Sequence, residues 1–140
     1  MRLLNRYVLT SGILLVALVA VVGASASATS TVKITNCTSA SSRPKMVTLT
    51  CGDGNTALTG LRWSSFGGAS ALATGTLETN TCKPNCAAGK TVRYTVAVKA
   101  SGTRTCKAGL RVYNKLTLRF TRRAPSAARS LSHWTLGCPY

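Results

Sequence analysis

Basic side chains are the groups of this chain best suited to do chemistry. Its 140 residues include 18 lysines and arginines but only two carboxylates, Asp53 and Glu78, for a formal net charge of +16 at pH 7. Because so few cations can be neutralised within the chain, the field around the molecule must attract polyanions in a salt-dependent way. Lysine and arginine bind phosphate and carboxylate groups. The composition therefore predicts a polyanion ligand, and the alternative is a solvated surface without a partner.

Eight of these cations are predicted to form one anion-binding surface. Alternation with period two puts the basic residues of two neighbouring strands, together with Tyr113, on one side of each strand. If the two strands pair as antiparallel neighbours, these side chains share a face, and a basic loop follows the second strand. The predicted surface comprises Arg93, Lys99, Arg111, Lys115, Arg119, Arg122, Arg123 and Arg129.

Catalysis and metal binding have little support in the sequence. General acid–base work by carboxylates needs two of them within reach, but Asp53 lies in a Gly-Asp-Gly turn and Glu78 is typical of a surface residue. His133 is the only histidine, and no serine has the context of a nucleophile elbow. A calcium site needs six or more oxygen ligands, which two acids cannot supply. We therefore predict no enzyme, no cofactor and no metal site.

Six cysteines are predicted to form disulfides. They do not follow the paired spacing of a zinc site, and export would favour their oxidation. A bridge between Cys82 and Cys86 would close a tight turn, although either of the two could instead pair with Cys51. Cys138 could pair with Cys106 or Cys37, and we favour Cys106–Cys138. The set is Cys37, Cys51, Cys82, Cys86, Cys106 and Cys138.

The elements that must hold these residues are strands. Thr91–Lys99 and Gly109–Thr121 alternate most clearly, and turn residues such as Ser101-Gly102 separate the segments. This spacing predicts an all-β fold, an antiparallel, disulfide-stapled β-sandwich of immunoglobulin-like general shape, in which the basic stretch Arg122–Arg129 is an exposed loop. The weaker strands are Thr31–Cys37, Met46–Cys51, Leu58–Phe66, Ala69–Thr79 and Leu131–Leu136.

The N-terminus has the three-part layout of a secretory signal peptide. Basic Met1–Arg6 precedes apolar Tyr7–Val22, and small residues follow, with cleavage expected after Ala26 or Ala28. We therefore predict a signal-peptide helix within residues 1–28 and a secreted domain at residues 29–140, with an uncleaved membrane anchor as the alternative. Loss of the two arginines of the signal leaves 16 cations against two acids, a net charge of +14.

Three segments of the chain resemble one family. They are Leu49–Asn55, with the pattern LTCGDGN, then Leu61–Gly68 around a tryptophan, then Asn80–Gly89, which contains CKPNCAAG. Together they resemble a group of small secreted actinobacterial proteins of unknown function. The chain departs from that group at Phe66, where a second tryptophan is usual, and at Thr81, where an aspartate is usual. The resemblance implies secretion and a similar fold, but no activity and no functional residues.

These observations favour a secreted, non-catalytic module that binds anionic cell-envelope polymers or lipid surfaces through its cations. The alternatives are a secreted cationic antimicrobial protein and a protease inhibitor that presents the Cys82–Cys86 loop. Neither a specific nucleic acid nor a small-molecule substrate is predicted as a partner.

Overall fold

Alternating apolar and polar residues make about half of residues 31–140 extended strand, as a period of two requires. The computed structural model describes residues 31–140, so the predicted signal peptide lies outside the described residues. One helical turn, α1 (Ser126–Arg129), falls within the predicted basic loop. The strands are β1 (Ile34–Asn36), β2 (Ser39–Ser41), β3 (Val47–Thr48), β4 (Thr56–Ser65), β5 (Ser70–Asn80), β6 (Thr91–Thr105), β7 (Arg111–Phe120) and β8 (His133–Thr135). None of the helices among residues 31–140 has the length and hydropathy of a membrane span.

The strands form one large antiparallel sheet and one small one. Six strands follow the order β3-β4-β5-β6-β7-β8, while β1 and β2 make a separate two-stranded sheet. The predicted antiparallel all-β fold is confirmed. The strand order differs from the predicted immunoglobulin-like arrangement. An immunoglobulin-like sandwich has two sheets joined by Greek-key connections, in which strands far apart in sequence become neighbours. Here every strand of the large sheet pairs with its neighbour in sequence, since short connections place consecutive strands side by side.

β1 connects β3, one edge of the large sheet, to β7, the strand next to the other edge. It contacts both β3 and β7, and Lys33, just before it, forms a parallel bridge with Val112. At the other end, the Asn36 side-chain oxygen accepts a hydrogen bond from the Thr48 N–H at 2.9 Å. The apolar faces of the strands therefore enclose one core, where each large side chain contributes about 1.5–3 kcal/mol. Its largest fully buried members are Tyr113, Ile34, Leu58, Leu77, Leu116, Val47 and Val96.

Three disulfides staple the fold, and the described residues include no free cysteine. The favoured pairing Cys106–Cys138 is confirmed, and the bridge Cys82–Cys86 is present. Cys51 pairs with Cys37, so its predicted alternatives were wrong. The hydrogen bond between Asn36 and Thr48 also joins β1, which precedes Cys37, to β3, which precedes Cys51. Disulfides persist in oxidising surroundings, which is consistent with an extracellular location.

The facing of β7 reverses between Tyr113 and Lys115, across from Gly102 in β6. Ser101-Gly102 was predicted to be a turn, but the strand continues through Gly102, which takes a φ of 60°. On β7, Lys115 is exposed, whereas Tyr113, two residues earlier, is completely buried. The Tyr113 N–H donates to the Lys33 carbonyl at 2.9 Å, away from β6. Strand residues that reverse their hydrogen-bonding side also reverse their side chain. The prediction that Tyr113 faces outward was therefore wrong.

Buried Tyr113 also ties β7 to the β4–β5 connection. Its hydroxyl donates to the Gly68 carbonyl at 2.8 Å and accepts from the Gly67 N–H at 3.1 Å. Its ring meets the Phe66 ring edge-on, with the centroids 5.8 Å apart. The reversal thus converts a residue that was predicted for the binding surface into part of the core.

Candidate anion-binding surface

The exposed side of β4–β8, hereafter the outer face, carries cations at spacings set by the sheet register. Lys99 lies opposite Thr117, so that Lys115 and Arg119, two residues to either side of Thr117, are its diagonal neighbours. Diagonal neighbours in an antiparallel pair lie about 7–8 Å apart. All three side chains are exposed. The register therefore confirms that these three predicted residues share one face.

Neutral polar residues fill the space between these cations. Thr117 is flanked by Lys99 on β6 and by His133 on β8. A further row of threonines crosses β4, β5 and β6 at Thr59, Thr76 and Thr95. His133 is exposed, as predicted. Because threonine carries no charge, the outer face offers hydroxyl groups without neutralising its cations.

Both carboxylates of the chain are engaged in local hydrogen bonds. The Arg93 Nε donates to Glu78 Oε1 at 3.0 Å, the only salt bridge among residues 31–140, and this hydrogen bond, helped by the Arg93 charge, lowers the pKa of Glu78. Asp53 accepts from the Asn55 N–H at 3.0 Å and from its amide at 2.8 Å, and these hydrogen bonds lower the pKa of Asp53. The turn predicted at Asp53 is confirmed.

A second basic region lies where β6 extends past the end of β7. The Thr121 N–H and hydroxyl both donate to the Thr95 carbonyl at 3.1 Å, and the chain then leaves the sheet. A cavity of about 390 Å³ lies here, hereafter the arginine cavity. Its lining consists of Arg93, Tyr94, Thr95, Phe120, Arg122 and Arg123. Three of the predicted cations thus meet at the end of the sheet.

The remaining two predicted cations lie elsewhere. Arg111 follows the reversed facing of Tyr113, is half-buried, and lines a different cavity with Val32 and Gly67. Its predicted place beside Lys115 was wrong, because the facing of β7 reverses between Tyr113 and Lys115. Arg129 is exposed in α1 and is not among the residues that line the arginine cavity. The eight predicted residues therefore divide between the outer face, the arginine cavity and these two separate positions.

The sequence prediction missed Arg62, a cation of the outer face. Arg62 on β4 is exposed and lies opposite Thr74, which in turn lies opposite Ala97, the partner of Arg119. Arg62 directly follows the apolar residue Leu61, and this alternation indicates that the Arg62 side chain faces outward. The register of β4 shifts between Thr59 and Arg62, so the alternation along this strand alone did not fix its face.

Comparison of the chain with models of protein families, with curated proteins and with solved structures found no match. The resemblance to small secreted actinobacterial proteins therefore stays a prediction. Within residues 31–140, no group of three or more histidine, cysteine, aspartate or glutamate side chains is placed to hold a metal ion. The groups best placed to bind a ligand are therefore the cations of the two basic regions.

Proposed function

We propose that this chain is a secreted, non-catalytic module that binds anionic cell-envelope polymers on its outer face. One observation carries the proposal: exposed Lys99 has two exposed diagonal neighbours, Lys115 and Arg119, and none of the three has a carboxylate partner among residues 31–140. The predicted signal peptide and the three disulfides support the extracellular setting.

The geometry of a sheet suits a chain-like ligand. Neighbouring strands lie about 4.8 Å apart, and side chains on the same face of one strand recur about every 6.8 Å. An extended polymer with repeated negative groups can therefore meet several cations of the outer face at once. Each exposed contact is weak, of the order of 1 kcal/mol or less, so binding depends on their number and weakens as salt screens them.

Sedimentation with purified cell walls across a salt series tests this proposal. The triple variant Lys99→Gln/Lys115→Gln/Arg119→Gln should bind about ten-fold or more weakly than the unmodified chain, because it loses the central cations of the outer face. Its matched control is Lys45→Gln/Lys83→Gln/Lys107→Gln, which removes the same charge from exposed sites elsewhere. We expect the control to lose much less affinity. Equal losses in the two variants, or retention that added salt does not weaken, would contradict the proposal.

The Cys82–Cys86 loop supports protease inhibition as a second candidate function. The side chain of Asn80 fixes both ends of this exposed loop: its amide donates to the Cys86 carbonyl, and its oxygen accepts from the Cys82 N–H, both at 2.8 Å. A rigid, exposed loop is what an inhibitor presents to a protease. A panel of secreted serine proteases, assayed with the unmodified chain and with Lys83→Ala, tests this candidate, which requires inhibition that the variant loses.

A further inference from the structure

We propose that the arginine cavity binds a terminal phosphate monoester, a tetrahedral dianion, as a site separate from the outer face. This inference deepens the proposed function, and it rests on that function for the source of the ligand, an end group of an anionic envelope polymer. The outer face would hold the length of the polymer, while the cavity would recognise its phosphorylated end.

The charge of the cavity matches a dianion. Three of its six lining residues are arginines, and Glu78 neutralises Arg93 through their salt bridge at 3.0 Å. Arg122 and Arg123 are exposed and have no carboxylate partner among residues 31–140. The uncompensated charge is therefore +2. A phosphate monoester carries nearly two negative charges above its second pKa of about 6, whereas a carboxylate or a phosphodiester carries one.

Local backbone structure holds the arginines around the cavity. The two hydrogen bonds from Thr121 to the Thr95 carbonyl fix the chain directly before Arg122 and Arg123. Residues two apart in a strand direct their backbone groups to the same side, so the Arg93 N–H points past the end of β7, toward the cavity that Arg93 lines. Guanidinium groups from two chain segments and a backbone donor therefore surround one space.

The apolar part of the lining strengthens this arrangement. The Tyr94 and Phe120 rings pack edge-to-face with their centroids 5.6 Å apart, and both rings are half-buried. They replace water on one side of the cavity, and charges attract each other more strongly where the surroundings are less polarisable. A phosphate has three oxygens to share among several guanidinium groups, whereas a carboxylate has two in one plane. The cavity therefore favours a phosphate monoester.

A titration with phenyl phosphate, followed by 31P NMR at about pH 7.5, tests this site. The unmodified chain should bind phenyl phosphate about ten-fold or more tightly than it binds dimethyl phosphate or benzoate, whose binding can be followed by calorimetry. Arg122→Gln/Arg123→Gln should weaken phenyl phosphate binding at least about ten-fold. Lys99→Gln/Lys115→Gln removes the same charge from the outer face and should leave phenyl phosphate binding nearly unchanged.

Two further variants keep the result interpretable. Arg122→Lys/Arg123→Lys retains the charge but loses the planar fork of donors, and its binding should fall between that of the unmodified chain and the glutamine variant. Equal losses in the cavity and outer-face variants, or equal affinity for the three anions, would overturn the phosphate site. If the cavity binds phenyl phosphate but the outer-face triple variant sediments normally with cell walls, the proposed function fails and the site stands. If the outer-face triple variant loses its binding to cell walls but the cavity does not bind phenyl phosphate, the phosphate site is overturned and the proposed function stands.

Discussion

The outer face and the arginine cavity carry the same kind of charge on different supports. On the outer face, the ladder between β6 and β7 sets the spacing of Lys99, Lys115 and Arg119. In the arginine cavity, two of the three arginines follow the last residue of β7, and the contacts of Thr121 hold them. A ladder repeats its spacing and suits a repeating ligand, whereas a chain segment that leaves a sheet can surround a single group.

The largest expected effect concerns the glycine that bounds the outer face. In Gly102→Ala, a β carbon would clash with Asn114 Oδ1, and it would sit on a backbone whose φ of 60° disfavours side chains. We expect the free energy of unfolding to fall by about 1–3 kcal/mol, measured by chemical denaturation. Polymer binding should weaken in the variant if the facing of Lys115 shifts, while phenyl phosphate binding stays the same.

Gly52→Ala is the matched control, because a β carbon at Gly52 meets nothing within 4 Å and its φ is not positive. Its stability should change by less than about 0.5 kcal/mol. Equal stability of the two alanine variants would show that the left-handed conformation of Gly102 does not disfavour a side chain.

A smaller effect should appear at the support of the arginine cavity. Thr121→Val keeps the branched shape of the side chain but removes the hydroxyl that donates to the Thr95 carbonyl. Because the backbone bond remains, we expect phenyl phosphate to bind about two- to five-fold more weakly, measured by 31P NMR titration. Thr117→Val, on the outer face, should leave that affinity unchanged. A larger loss in Thr117→Val would show that the two regions are not independent.

The smallest expected effect is that of acid. The folded-state pKa values of Asp53 and Glu78 are lowered from 3.8 and 4.5, so their contribution to stability is present above those values and is lost as the pH falls through the folded pKa values. Both groups are on the surface, so the loss should be slight in denaturation curves measured between about pH 6 and 2. Glu78→Gln should reduce it, and Asp53→Asn should remove most of the remainder. A large acid-induced loss in the double variant would contradict this account.

Period two was sufficient to predict the central cations of the outer face. Lys99, Lys115 and Arg119 lie where uninterrupted alternation puts them, and the same pattern identified the apolar faces of β6 and β7. The alternation failed at Tyr113 and Arg111, because the facing of β7 reverses across from Gly102, a residue of positive φ within the continuous strand β6. The dipeptide Ser-Gly is typical of a turn that ends a strand, and only pairing with a neighbouring strand shows that the strand continues through it.

Other features depend on tertiary structure and were beyond the sequence. The order of the strands distinguishes a meander from a sandwich, although both have the same alternating segments. The pairing of Cys37 with Cys51 follows from the contact between β1 and β3, which no local pattern records. The arginine cavity likewise exists because β6 is longer than its neighbour, a difference in length that neither strand shows alone.

The short outer strands of the large sheet have a consequence for self-association. The two edges, β3 and β8, are only two and three residues long, and they offer little unpaired backbone onto which a second molecule could add a strand. Residues 91–95 of β6 extend past the end of β7 and are longer than either edge strand. The charges of Arg93, Arg122 and Arg123 lie beside this segment and repel an identical copy. Residues 31–140, about half of which are strand, can therefore be concentrated without forming intermolecular sheets as long as this repulsion is not screened.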